Sequence, residues 1–204
     1  MMRLSPKIEL LIRLLPAIGL AYFVHRVALA FTAHPSLNLA LLAAAETLTV
    51  AIYLFARPSK STSFDGLSLL STFLATYYFA FIYLDEGPHL VPVHVAAVVQ
   101  ASGILLQLYS KIHLGRSFGL LPANHGIVTS GPYRWIRHPI YLGYFIGHMG
   151  FLLGNWSLRN ALLFATLYFF QAIRIAREER LLSADPEYAA YLLTTRYRVI
   201  PGIL

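Results

Sequence analysis

Six stretches of this chain are apolar over nearly the length of a bilayer crossing, which leaves little room for any other kind of fold. They fall at residues 8–31, 37–55, 66–84, 90–109, 138–154 and 160–175, against roughly 20 apolar residues needed for a transmembrane helix. The fifth is short. Turn-forming connections separate them: His34-Pro35-Ser36, Arg57-Pro58-Ser59-Lys60, Asp85-Glu86-Gly87-Pro88 and Asn155-Trp156-Ser157. A chain that is 57% hydrophobic and only 12% charged would expose too much apolar surface as a soluble domain of 204 residues. The expected fold is an all-α integral membrane protein, a bundle of about six transmembrane helices. One domain, 1–204, fits the length: four spans in 1–109, then a loop, two spans and a C-terminal helix in 110–204. The first apolar run carries Arg13, His25 and Arg26 and lacks a clear small-residue cleavage site, so it is expected to be retained.

Charge supplies an orientation. With the N-terminus in the cytoplasm, the inner segments hold Arg3, Lys7, Arg57, Lys60, Lys111, Arg116, Arg134 and Arg137, followed by Arg174, Arg177, Arg180, Arg196 and Arg198. The outer loops hold His34, the Asp85-Glu86 pair and Arg159, with Arg26 an exception. Both termini are therefore expected inside, in a multi-pass protein of the plasma (inner) membrane if the source is prokaryotic. The same bias accounts for the net charge of +7 without nucleic acid. There is no cysteine, which excludes disulfides, thiolate metal sites, a cysteine nucleophile and palmitoylation. Oligomeric state is not readable.

The connection from 110 to 137 is long for so compact a chain, and such loops are functional or disordered. Its end and the start of the fifth span, residues 125–141, concentrate histidine, arginine, tyrosine, tryptophan, glycine and proline, which argues against disorder. His138-Pro139 opens the fifth span; proline suits a first helical turn, and free amides there attract carboxylate or phosphate, although a plain cap is the simpler reading. Further along, Gly143, Gly147, Gly150 and Gly154 form a stripe suited to close helix packing. Tyr141, Tyr144 and His148 occupy the other side, either as a pocket wall or as interfacial aromatics beside a satisfied histidine. The sixth helix carries Gln171, Arg174 and Glu178 as one polar stripe at the membrane boundary. Arg174 and Glu178 are spaced to pair, and polar groups at that depth are functional suspects, a snorkelling arginine being the alternative. Glu179 and Arg180 point elsewhere and read as solvated. Glu46, alone in the second span, reads as paired or protonated. The helix continues out of the membrane over 174–182, and a short helix over 185–195 follows, with Asp185 as N-cap, Pro186 at its first position and Tyr188, Tyr191 and Leu192 on one face.

Other signatures are missing. With no strands expected, no dinucleotide-binding glycine motif follows one, and there is no phosphate loop. Neither His113 with His125 nor His89 with His94 has metal spacing, so no metal is expected. No Ser/His/Asp triad can be drawn.

Taken together, Leu114-Gly115-Arg116-Ser117-Phe118, residues 125–141, Arg174-x-x-x-Glu178-Glu179-x-x-Leu182, Tyr188-x-x-Tyr191 and Tyr197-Arg198-x-x-Pro201-Gly202 resemble the isoprenylcysteine carboxyl methyltransferase family. The resemblance covers about the last 95 residues; the first four spans match only in being hydrophobic. It implies a helical membrane bundle with a cytoplasmic cofactor pocket formed by its C-terminal half, and an S-adenosylmethionine-dependent enzyme, releasing S-adenosylhomocysteine, that methylates a lipophilic or lipidated acceptor, a carboxylate before an amine or thiol. By position it implies cofactor contacts from His125, Gly126, Ile127, Val128, Tyr133, His138, Pro139, Ile140, Tyr141 and Glu178, with Arg174 holding substrate and Arg174 and Glu178 forming the catalytic pair. The alternatives are a membrane reductase of the sterol-reductase type using NADPH and a non-enzymatic lipid-binding or transport protein.

Overall fold

The computed structural model describes residues 6–33, 35, 37–63, 65–83 and 87–202. Arg3, His34, Leu84 and the Asp85-Glu86 pair, and the side chains of Lys7 and Arg13, lie outside the described residues. Every apolar stretch is helical: α1 (Pro6–Ala33), α2 (Leu37–Leu54), α3 (Gly66–Tyr77), α4 (Val93–Leu114), α5 (Pro139–Gly154) and α6 (Leu158–Leu182). A short α7 (Pro186–Thr194) follows, capped as expected by Asp185, whose side chain accepts the amide of Glu187. Three of these helices, α1, α2 and α4, are long and apolar enough to cross a membrane. At 12 and 16 residues, α3 and α5 are shorter than a full crossing.

Two boundaries differ from the sequence expectation. The third apolar stretch leaves the α-helix at Tyr77 and tightens into a 3-10 turn, Tyr78–Phe81. Past that turn, fully buried Asn160 accepts the Tyr83 amide (2.9 Å) through its carboxamide and donates to the Tyr83 carbonyl (2.7 Å). Both backbone groups of Tyr83 are thereby satisfied by a side chain. The fourth helix instead runs on to Leu114, so Lys111 and His113 belong to its last turn and not to a cytoplasmic loop. Lys111 is wholly buried and reaches Glu46 of α2 at 3.5 Å. That answers the question of Glu46: it is paired.

Strands also exist where none were expected. Ser61–Thr62 (β1) pairs antiparallel with Ala123–Asn124 (β2), and Ile136 bridges in parallel to Tyr197. These links are short, but they tie the polar connections to one end of the bundle. At that end Lys60 and Asn124 meet Asp185, Arg177 meets Asp65, and Arg116 donates to the Phe55 carbonyl. At the other end the 87–92 connection hydrogen-bonds to Gly154, Asn155 and Trp156, and Arg159 lies 5.6 Å over the Tyr83 ring.

The glycine stripe has a packing role within the chain. A side chain on Gly103 of α4 would run into the backbone of Gly143 and Gly147, and one on Gly143 would sit 2.8 Å from the Gly103 carbonyl. Gly150 fits against Gln100 in the same way, and Gly154 against Ala96. The two backbones therefore approach as only glycine permits. Gly103→Leu is expected to cost at least about 3 kcal/mol by overpacking and to lower the thermal midpoint in detergent, whereas leucine at exposed Ile112 on the opposite side of α4 leaves it unchanged.

Candidate active site

Where the β1–β2 end of the bundle meets α6 and α7, a cavity of about 140 Å³ opens between helices and loop. Its walls come from both halves of the chain. Leu20 and Phe23 of α1, Glu46 and Thr49 of α2 and Thr76 of α3 join the C-terminal elements expected to form it alone. The loop contributes Phe118–Leu121 and 126–128, and α6 contributes Gln171, Arg174, Glu178 and Leu182.

Local chemistry explains how the loop reaches the cavity. Gly126 has φ +106, a conformation that side-chain-bearing residues rarely adopt, and its amide donates to Asn124 Oδ1 (2.9 Å). This bend turns Ile127 and Val128 inward. Tyr133 is held by its own backbone: the Tyr191 hydroxyl donates to the Tyr133 carbonyl (2.5 Å). Next, Arg137 and His138 donate their amides to the carbonyls of Tyr197 and Arg198, 2.9 and 2.8 Å away. Their side chains converge on Glu179. Glu179 Oε1 accepts from Arg137 Nε (2.8 Å) and His138 Nε2 (3.1 Å), and Oε2 accepts from Arg198 Nε (2.9 Å).

Glu179 is thus a buried hub and not the solvated surface residue its sequence position suggested. Helical spacing placed it off the Gln171/Arg174/Glu178 stripe, and so it is; the surface that it faces is covered by the 136–138 and 197–198 segments. Burial pushes its carboxyl pKa up, but hydrogen bonds from His138 and Arg137 outweigh that and bring it from 4.5 down to about 2.

The stripe itself faces the cavity, but its members do not pair. Arg174 Nη2 donates to the Gly119 carbonyl (3.0 Å), and its guanidinium lies 5.7 Å over the Tyr141 ring. No ion pair joins it to Glu178 among the described residues, and its Nε has no hydrogen-bond partner although the residue is 93% buried. Among the described residues, four other buried side-chain polar atoms lack partners: Thr76 Oγ1, Tyr133 OH, Gln171 Oε1 and Tyr188 OH. All five residues line this one cavity. Each such atom left alone costs about 1–3 kcal/mol, so the cavity offers hydrogen-bonding capacity to whatever polar groups or water enter it.

Of the residues singled out from sequence, Gly126, Ile127, Val128, Tyr133, His138, Ile140, Tyr141, Arg174 and Glu178 meet here. His125 and Pro139 do not line the cavity. The His125 Nδ1–H donates to the Arg57 carbonyl (2.6 Å) and the ring covers Gly119, while Pro139 is buried in the first turn of α5. The Tyr141 amide is taken by the His138 carbonyl (3.1 Å), which removes it from the free helix-start donors. His148 also stands outside. It bonds to the hydroxyls of Tyr78 (2.8 Å) and Tyr168 (2.6 Å) and stacks on Phe164 at 4.3 Å, a satisfied core histidine. Tyr144, by contrast, lines the cavity.

Sequence reasoning gave no site role to Thr76, Tyr188 or Tyr191, and marked Gln171 only as a member of the polar stripe on α6. The tyrosines were legible as one face of α7, but nothing local says what that face covers. Burial raises the pKa of both, Tyr191 to about 12, so their hydroxyls stay neutral donors at physiological pH. A threonine inside an apolar helix carries no signal at all.

A model of the isoprenylcysteine carboxyl methyltransferase family matches residues 94–184. That segment, less than half of the chain, is similar to the family. A protein-S-isoprenylcysteine O-methyltransferase of Schizosaccharomyces pombe is 38% identical over 88 residues, which cover 39% of this chain and 36% of that protein. The shared stretch is thus little more than a third of that relative's length. Within this chain the matched segment runs from α4 through α6; it supplies the loop wall, Tyr133, His138, Arg174, Glu178 and the Glu179 hub. Tyr188, Tyr191 and the lining residues of α1–α3 lie beyond it.

Replacing the hub carboxylate tests how this wall is held. Because its pKa is depressed on folding, the stabilisation from Glu179 is complete above pH 4.5 and is lost as pH falls towards about 2. The wild-type thermal midpoint is expected to fall through that window. Glu179→Gln is expected to lose about 3 kcal/mol at pH 7 and to show a shallower acid fall, both read by thermal unfolding in detergent.

Proposed function

We propose that this chain is an S-adenosylmethionine-dependent methyltransferase that esterifies the carboxylate of a lipophilic, isoprenylcysteine-like acceptor. The observation that carries the reading is Arg174: a buried guanidinium with an unpartnered Nε, facing a cavity and not neutralised by the glutamate one helical turn away. A buried cation without a carboxylate partner is costly, and an acceptor carboxylate supplies the missing one. The family match and the similar S. pombe enzyme favour the same chemistry.

The cofactor side of the cavity fits as well. The unpartnered hydroxyls of Tyr133 and Tyr188 and the Glu178 carboxylate, which has no ion-pair partner among the described residues, offer donors and an acceptor to a ligand rich in hydroxyl and amine groups. Ile127, Val128 and Leu182 provide apolar contact between them. When bound, S-adenosylmethionine supplies a methyl group on a sulfonium, which an ionised carboxylate takes by in-line displacement, the new O–CH3 bond forming as the C–S bond breaks and its electron pair leaves with sulfur. The protein then has to position, desolvate and balance charge. Arg174 fixes the acceptor oxygen. The Tyr141 face, already beside that guanidinium, presents π density to positive charge. Gly126, Ile127, Val128, Ile140 and Glu178 hold the cofactor, with His125, His138 and Pro139 setting the wall behind it. An ionised acceptor has no proton to lose, so no general base is required.

In this reading the six apolar helices cross a bilayer, the shorter ones included, both termini face the cytoplasm, and the acceptor's lipid tail stays among the helices. Isothermal calorimetry in detergent is expected to detect S-adenosylhomocysteine and not NADPH; the reverse result marks a reductase. Arg174→Ala is expected to lower labelled-methyl transfer to a prenylcysteine acceptor at least about 100-fold, the loss of one buried charge-assisted contact, while S-adenosylhomocysteine binding stays within a few-fold. An unchanged rate removes Arg174 from the mechanism.

A further inference from the structure

The orphan polar atoms sort along the cavity, and the sorting separates two ligands. Tyr133 and Tyr188 belong to the loop and α7. Thr76, Gln171 and Arg174 belong to α3 and α6, which run antiparallel: Asp65 meets Arg177 (3.5 Å) at one end of the pair, and the Tyr78 and Phe164 rings meet (6.3 Å) at the other. Descending from the loop end, the order is therefore Arg174, Gln171, Thr76. Gln171 precedes Arg174 by three residues on the same helix face, a step of about 4.5 Å along the axis. Its side chain is 4% exposed, its Oε1 has no partner, and it lines the cavity.

Apolar residues would serve a plain lipid carboxylic acid better at both lower positions. A buried carboxamide and a buried hydroxyl left unsatisfied make sense only if the ligand satisfies them. What is needed is an N–H for Gln171 Oε1, placed within one helical step of the carboxylate on Arg174. A group able to accept from the Thr76 hydroxyl must follow it. An amide attached to the carbon bearing the carboxylate has that arrangement.

Resting on the methyltransferase reading above, we propose that Gln171, supported by Thr76, is the specificity-determining residue of the acceptor site: it reads the amide N–H beside the carboxylate that Arg174 holds. It touches the part of the acceptor that does not react, so its contribution appears as discrimination between acceptors and not as rate on all of them.

The test compares two acceptors that differ only there: N-acetyl-S-farnesylcysteine and S-farnesyl-3-mercaptopropionate, which lacks the amide. The wild-type protein is expected to favour the first in kcat/KM. Gln171→Met, similar in volume and unable to accept that hydrogen bond, is expected to cut the preference about 10–100-fold, mainly by raising KM for the amide acceptor. S-Adenosylhomocysteine affinity, measured in parallel, is expected to be unchanged and reports on folding. Should Gln171→Met lose that affinity, Thr76→Val carries the same comparison, with a smaller cut in preference expected. A ratio that stays at the wild-type value, or equal slowing of both acceptors, overturns the assignment. Methylation of neither acceptor by the wild-type protein is a different failure: it sinks the transferase reading and the assignment with it.

Discussion

The cluster around Glu179 is the interaction on which the polar half of this protein depends. One carboxylate, buried near the C-terminal end of α6, receives Arg137 and His138 from the loop and Arg198 from the C-terminal segment. Those segments also share two backbone hydrogen bonds and a bridge between Ile136 and Tyr197. Buried charge of this kind is stable only when each lone pair is matched, and here the matching groups come from pieces of chain some forty and twenty residues away on either side of α6. Folding α6 therefore does not by itself make the site. The loop and the C-terminal segment must both arrive, and once they do, His138 is oriented at the start of α5 and Tyr191 is set to hold Tyr133.

Five residues earlier on the same helix the opposite arrangement holds. Arg174 is as buried as Glu179 but has one carbonyl and one aromatic face in place of a carboxylate. Glu178 is the obvious partner and does not supply it. The contrast separates structure from function within a single turn: a fully satisfied ion cluster rigidifies, whereas an under-satisfied one is held ready for a ligand. Among the described residues, the five unpartnered buried side-chain atoms all belong to residues that line the same cavity.

The membrane-facing half is governed by a simpler constraint. Where α4 and α5 meet, glycine faces glycine or glutamine, and the backbones touch. That contact fixes α5 in depth and rotation, which carries Ile140, Tyr141 and Tyr144 to the cavity. His148, one turn beyond Tyr144, is committed to Tyr78, Tyr168 and Phe164. The Tyr141/Tyr144/His148 face is thus split between a site wall and a polar core contact, a division that helical spacing cannot show.

What the sequence by itself determined is whatever repeats along a single helix or depends on one residue's own backbone. Hydrophobic length marked all six apolar helices, Asp185-Pro186 marked the start of α7, the glycine stripe marked a packing face, and the Arg174/Glu178 spacing marked a common polar face. The motif from 125 to 141 marked a wall. Tertiary structure alone decided which charges are satisfied. Glu179 reads as solvated until the C-terminal segment covers it, Lys111 reads as a cytoplasmic cation until α2 buries it against Glu46, and Arg174 reads as paired with Glu178 until the Gly119 carbonyl takes its place. The same holds for the backbone of Tyr83, whose amide and carbonyl are met by Asn160 from across the gap. Periodicity reports which side of a helix a residue is on; only the partner across the gap decides whether its charge or hydrogen bond is met, and that partner is distant in the chain.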